Sequence, residues 1–179
     1  MKGIVFNAAE KAVTSLMGAD TWDDLLDAAG SDGVYTALGT YPDEDLLALV
    51  MAASEATGHS PADVQRLIGR HALEHLIPAV ADLVDTDGSV FDFLASVHEI
   101  IHIEVKKLSP DARPPDLVPE LLATDLLQLT YRSERGLSAL AEGLILGAGD
   151  IFAQPVIVSV PDDLQSDGET VIHVHRVGP

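Results

Sequence analysis

His98-Glu99-Ile100-Ile101-His102, continued by Ile103-Glu104-Val105-Lys106-Lys107-Leu108, is the stretch on which the reading of this chain turns. Two histidines one helical turn apart, with a glutamate between them, form H-E-x-x-H, the pattern with which zinc proteases hold their metal. Zinc hydrolysis needs three protein ligands and an open water position. The glycine and third histidine of the extended motif are missing from residues 103–108. Glu120 is placed about right for a downstream ligand, but it sits between Pro119 and an expected strand. The competing reading makes this stretch the end of a helix that presents His102 alone to a different metal.

Working outward supports a long helix. Ser89-Val90-Phe91-Asp92 has the acid three residues after the cap that marks a helix start. Val90, Phe93, Leu94, Val97, Ile101, Val105 and Leu108 then repeat at i, i+3, i+4, i+7. Ser109-Pro110 and Pro114-Pro115 forbid continuation, because proline lacks an N–H and restricts its predecessor. Upstream the chain also reads as helical. One helix is expected over about residues 3–18 and a short one after Thr21. A third starts at Tyr41-Pro42-Asp43-Glu44 and runs to Gly58. A fourth starts at Ser60-Pro61-Ala62-Asp63 and runs toward Pro78. Downstream the period changes. Leu127, Leu129 and Tyr131 alternate with polar residues, which is strand spacing. Gly136 to Gly147 reads as a helix. Residues 155–160 and 170–176 read as two strands joined around Asp167-Gly168. The expected class is α+β: a helical N-terminal lobe over about residues 1–85, then a mixed lobe with an antiparallel sheet over about 86–179, together one domain.

Composition narrows the chemistry. Cysteine is absent, which excludes disulfides, iron–sulfur clusters, thiolate ligation and cysteine-based zinc sites. Ten basic against 29 acidic side chains give a formal charge of −19, so nucleic acid and anionic membranes are unsuitable partners. The longest wholly apolar run, residues 46–53, is far below the roughly 20 residues that cross a bilayer. Glu10 comes too early for a signal-peptide core, so a cytoplasmic location is expected. The other histidine pairs, His71 with His75 and His173 with His175, read as structural or solvent-facing rather than as ligands.

Tyr131, Ser133 and Arg135 carry sharper information. In extended chain, residues two apart point to the same side, so a phenol, a hydroxyl and a guanidinium would line up. Such a row suits a ligand with two neighbouring carboxylates, since arginine supplies a fork that matches carboxylate. Five of the ten basic residues lie between Lys106 and Arg135. The plainer reading, a polar strand end in water, stands equal with it on spacing alone.

Together these features resemble the heme nitric oxide/oxygen-binding (H-NOX) domains, bacterial relatives of the soluble guanylate cyclase heme domain. The likeness runs over nearly the whole length. It includes the Met1-Lys2-Gly3 opening, the Tyr41-Pro42-Asp43 turn, the His102 helix, the double proline, and a full Y-x-S-x-R signature at the family's spacing from His102. The resemblance implies a heme-based gas sensor rather than an enzyme. One heme b would lie between the lobes, bound noncovalently, with His102 as its proximal ligand. Tyr131, Ser133 and Arg135 would hold the propionates, and Pro115 would press on the porphyrin. Distal contacts would come from Val5, Ala9, Ala72, Leu140 and Leu144. Oxygen-binding members place a tyrosine on the helix after Y-x-S-x-R; here that place holds Leu140. NO, with CO as a second ligand, is therefore the expected gas and O2 the alternative, with Ser138 a weak donor nearby. NO would weaken or break the Fe–His102 bond, and the lobes would shift. The output would act in trans on a histidine kinase or a diguanylate cyclase/phosphodiesterase. The zinc hydrolase using His98, Glu99 and His102 remains the other alternative.

Overall fold

Ser60 opens a helix in the way its sequence predicts. Its hydroxyl accepts the Asp63 N–H at 3.2 Å and donates to the Asp63 carboxylate at 2.6 Å, with Pro61 at the first helical position. The computed structural model describes residues 1–166 and 168–178. Asp167, where the sequence joins the last two strands, lies outside the described residues, as does Pro179.

Helices come first: α1 (Gly3–Met17), α2 (Ala19–Ala29), α3 (Asp43–Thr57) and α4 (Pro61–Leu76), followed by a 3₁₀ segment, Ile77–Leu83. The second helix begins before Thr21 rather than after it, because Thr21 turns its hydroxyl back to the Met17 carbonyl, 3.0 Å away. Phe6, Trp22, Leu25, Leu46, Leu49, Val50, Val64 and Ile68 form one buried core among these helices. Phe6 stacks on Tyr35, with ring centroids 4.1 Å apart, and meets Tyr41 edge-on at 5.7 Å. That packing seats the Tyr41-Pro42-Asp43 turn beside the start of α1. The Met1 ammonium donates to the Tyr41 carbonyl at 2.6 Å and pairs with Asp43 at 2.8 Å.

The second half is a four-stranded antiparallel sheet with helices packed on one face. Its strands are β1 (Asp116–Ala123), β2 (Leu126–Arg132), β3 (Val156–Ser159) and β4 (Glu169–Arg176), in the order β1-β2-β4-β3. Leu127, Leu129 and Tyr131 are buried and alternate with more open neighbours, as the period of two requires. Together with Ile172, Val174, Val90, Phe93 and Leu94 they make a second core. The sequence reading places no strand over 116–123, yet β1 forms there with Pro119 inside it. At a sheet edge a missing N–H breaks no ladder, and β1 is an edge strand.

Two helices depart from expectation. The His102 helix is not a continuous α-helix over 90–108. α5 (Val90–Ser96) and α6 (His102–Leu108) are separated by a π-helical turn, Val97–Ile101, in which the His102 N–H reaches back five residues to the Val97 carbonyl. An inserted residue turns the following side chains about the axis, and such bulges are frequent at functional sites. The last helix, α7 (Ser138–Ile151), starts two residues later than read and passes through Gly147. Gly147 is no stop signal, because it serves a crossing. Cβ atoms on Gly69, Gly143 and Gly147 would overlap the carbonyl oxygens of Leu140, Arg66 and Arg70 respectively. The glycines therefore let α7 lie backbone to backbone on α4. Around that crossing α7 and its two capping residues serve both cores: Leu137 and Leu140 pack with the N-terminal helices, and Ile145, Ala148 and Phe152 with the sheet.

Candidate heme site

His102 opens α6 directly after the π turn. It is half-buried, and its Nδ1 is fully buried without a hydrogen-bond partner among the described residues. Burial pushes its pKa down to about 4; His98 and Lys106 add to the shift, while the backbone of Pro115 opposes it. At neutral pH the side chain is thus an uncharged imidazole with its lone pair available, which is the form that binds a metal. Pro115 is its neighbour from the loop before β1, so the structure brings these two predicted residues together.

The Y-x-S-x-R residues converge, but not by strand alternation alone. β2 ends at Arg132, and residues 133–135 lie in the turn that follows. The row expected from an extended chain is therefore corrected: only Tyr131 stands in the strand. The turn is organised by the Ser133 hydroxyl, which accepts the Arg135 N–H at 3.3 Å. Tyr131 is buried, and burial raises the pKa of its phenol while the Ser133 hydroxyl beside it pulls the other way. It is a neutral donor at any physiological pH.

Two open clefts of about 420 Å3 each meet at Ser133 and Glu134. One is lined by Tyr131, Ser133 and Ser138; the other by Asp43, Leu47, Arg113, Pro115, Ser133 and Arg135. Arg135 donates from Nε to Asp43 at 2.9 Å, leaving its two terminal nitrogens without a protein partner among the described residues. Burial alone would raise the Asp43 pKa, but the Met1 ammonium and Arg135 outweigh it and hold the carboxyl below its usual range. His102 lines neither cleft and adjoins the second through Pro115. A neutral buried imidazole there, with a phenol, a hydroxyl and a half-engaged guanidinium around the clefts, supplies the groups that an iron porphyrin with two carboxylates requires. Sequence reading missed Asp43 as a site residue. The available signal was an acid preceded by proline in a chain whose few cations cluster elsewhere.

The predicted distal residues come from α1, α4 and α7, the elements that pack against one another around the α4–α7 crossing. Val5, Ala9 and Leu140 share the N-terminal core, Ala72 packs with Ala8, Ala12 and Leu76, and Leu144 packs toward the sheet core. Ser138 lines the cleft of Tyr131 and Ser133.

The other residues weighed as metal ligands have partners of their own. His98 accepts the Leu117 N–H, Glu120 receives a 3.4 Å hydrogen bond from Gln128 on the sheet, and His173 lies 3.2 Å from the Gln128 amide oxygen. Among the described residues no three His, Cys, Asp or Glu side chains gather so as to hold a metal. No helix of the described residues is long and apolar enough to cross a membrane.

A family model described as Haem-NO-binding matches residues 2–160, and the chain belongs to that family. It is a family of heme-based gas-sensing domains, which are sensors rather than catalysts, and its cofactor is heme. Among solved structures, an H-NOX protein from S. oneidensis in the Fe(II)NO ligation state is 28% identical. The match has a TM-score of 0.88 and covers 99% of this chain and 100% of that one. The unliganded Fe(II) H-NOX protein from K. algicida is 26% identical, with a TM-score of 0.85 over 100% of this chain and 98% of the other. A mutant H-NOX protein from T. tengcongensis shares the fold at 24% identity and a TM-score of 0.84, over 100% of this chain and 99% of that one. None of the curated proteins compared matches the chain.

The two arginines of the signature segment predict different outcomes. Arg132 pairs with Glu169 on the exposed sheet surface, where such pairs contribute little. Both arginines border the cleft beside Pro115, but Arg135 is the more buried and is held between Asp43 and the Ser133 turn. Arg135→Ala is expected to lower heme affinity roughly tenfold or more, the value of one charge-assisted hydrogen bond, while Arg132→Ala leaves it unchanged. Heme transfer to apomyoglobin measures both, and equal loss rates would refute the assignment.

Proposed function

We propose that this chain senses nitric oxide through one noncovalent heme b, with His102 as the proximal ligand and Tyr131, Ser133 and Arg135 on the propionates. The bound heme supplies a ferrous iron whose open face takes a diatomic gas. The chain's own part is to hold it and to select. Pro115, set beside His102, braces the porphyrin plane. Val5, Ala9, Ala72, Leu140 and Leu144 form the distal side, in a single domain whose helical lobe (about 1–85) and sheet lobe (about 86–179) enclose the heme.

The apolar character of the Leu140 position carries the choice of NO over O2. Bound O2 takes up partial negative charge and needs a donor, whereas NO binds ferrous iron without one. Leu140 packs in the core of Phe6, Val5 and Ala9. The two tyrosines of that core direct their hydroxyls to the loop before α3, at Ser31 and Thr36. Tyr35 bonds through its hydroxyl to Ser31 at 2.7 Å, and the Tyr41 hydroxyl accepts the Thr36 N–H at 2.8 Å. His102 is the point at which a change at iron reaches the helix, and through it the surface seen by a partner. CO is expected to bind as well. The output acts in trans on a histidine kinase or a diguanylate cyclase/phosphodiesterase in the cytoplasm.

Leu140→Tyr supplies the missing donor. Its O2 affinity is expected to rise at least about tenfold, the worth of a hydrogen bond to a charged group, with NO binding little changed. Oxygen titration of the ferrous protein reads this. An unchanged affinity, with the ring shown to be inside the pocket, would contradict the selectivity argument.

A further inference from the structure

His98 is the half of the H-E-x-x-H motif that the heme reading leaves without a task, and the structure gives it a specific contact. Its Nδ1 accepts the backbone N–H of Leu117 at 3.4 Å, nineteen residues away in β1. The ladder shows why that N–H is free. Pro119 pairs with Leu129 and Leu117 with Tyr131. Proline has no N–H, so Pro119–Leu129 is a non-hydrogen-bonded pair. In an antiparallel ladder such pairs recur every second residue, which makes Leu117–Tyr131 another. The Leu117 N–H therefore points off the edge of the sheet, toward the helix. His98 satisfies it, and the next outward donor along that edge does not exist because the residue is Pro119.

This contact spans the two parts of the proposed heme site. His98 lies in the π turn, whose last backbone bond runs from the His102 N–H to the Val97 carbonyl. Leu117 lies opposite Tyr131, the first residue of the signature. The His98 ring stands 6.5 Å from that of His102, nearly perpendicular to it, too far and too committed to serve as a second ligand. We infer that His98 is a positioning residue: by tying the π turn to β1 it sets the distance between the helix that carries His102 and the strand that carries Tyr131. With heme held through His102, it would restrain the helix against moving away from that strand. The inference rests on the heme reading for its consequence but not for the contact itself.

The test compares His98→Ala with His98→Asn, whose amide oxygen can take the place of Nδ1 as acceptor. Hydrogen exchange at the Leu117 amide, followed in the full chain with and without heme, should quicken in His98→Ala by about two- to tenfold, as expected for one lost hydrogen bond. His98→Ala should retain heme at wild-type stoichiometry. Its iron–histidine stretching band in the ferrous protein should shift, and its spectral change on NO addition should develop faster by a similar factor. His98→Asn should restore all three. Exchange and band unchanged in His98→Ala, no rescue by His98→Asn, or loss of heme in His98→Ala would each overturn the assignment. Failure of the heme reading itself would look different: the wild-type chain would take up no heme while the Leu117 exchange effect persisted.

Discussion

Replacing His102 by glycine is expected to abolish heme retention, and imidazole added to the medium to restore it. The reasoning starts from the side chain's state. Burial holds the His102 pKa near 4, so at neutral pH it offers an uncharged ring nitrogen. None of the other six histidines stands in its place: His98 is bound to Leu117, His59 lies in the exposed link between α3 and α4, and His71, His75, His173 and His175 lie on α4 and β4, elements that do not carry His102. Glycine leaves a space of imidazole size beside Pro115, which free imidazole can enter. Hemochrome analysis of His102→Gly purified with and without imidazole measures the effect. His98→Ala serves as the control that keeps heme. The reverse pattern, heme lost with His98 and kept without His102, would return the motif to a different metal.

Gly143→Ala is expected to destabilise the fold more than any other single methyl group added to α7. The new Cβ would overlap the Arg66 carbonyl oxygen and press on the Arg66 backbone, which has no rotamer to escape into. The helices must separate, and overpacking of this kind typically costs about 1–3 kcal/mol, occasionally more. In a domain of this size that lowers Tm by roughly 2–12 °C. The effect should reach ligand binding, because Leu140 lies one turn away on α7 and its carbonyl faces Gly69 in the same crossing. Thermal unfolding of the heme-loaded protein, beside an Ala141→Gly control that removes volume on the same helix, would show it. Equal or higher stability in Gly143→Ala would mean that the crossing has slack the structure does not display.

Most helices were legible because their ends carry chemistry that acts locally. Ser60-Pro61-Ala62-Asp63 and Tyr41-Pro42-Asp43 mark starts through caps and prolines, and the observed helices begin at Pro61 and Asp43. What stayed hidden was set by tertiary context. Val97, Ile101 and Val105 are spaced four apart, which suits an α-helix so well that the inserted residue of the π turn leaves no trace in the pattern. Pro119 argues against a strand everywhere except at an edge, and nothing local says that β1 is an edge. Gly147 looks like a helix end until α4 is seen lying against it.

The candidate site divides in the same way. Residue types and spacing pointed to His102 and to the Tyr131, Ser133 and Arg135 group, because metal binding and carboxylate binding each demand particular side chains. The alternation rule was carried too far: it holds to Arg132, after which a turn organised by Ser133 does the placing. Asp43 could not be found from spacing, since it meets Arg135 across 92 residues. Nor could the role of Ser138 be settled, because a helix start can face either a core or a cleft, and here it faces the cleft.

The absorption spectrum of the ferrous protein, recorded first without gas, then in air, then under NO, tests the central claim most directly. The account predicts a single Soret band of a five-coordinate ferrous heme, no stable oxygen complex in air, and a new spectrum on adding NO. A stable oxygenated spectrum in air would contradict it and would direct attention to polar groups near the distal helices, first Ser138 and then the buried Gln65, whose side-chain oxygen has no partner among the described residues. Absence of any Soret band after expression with ample heme would contradict it altogether.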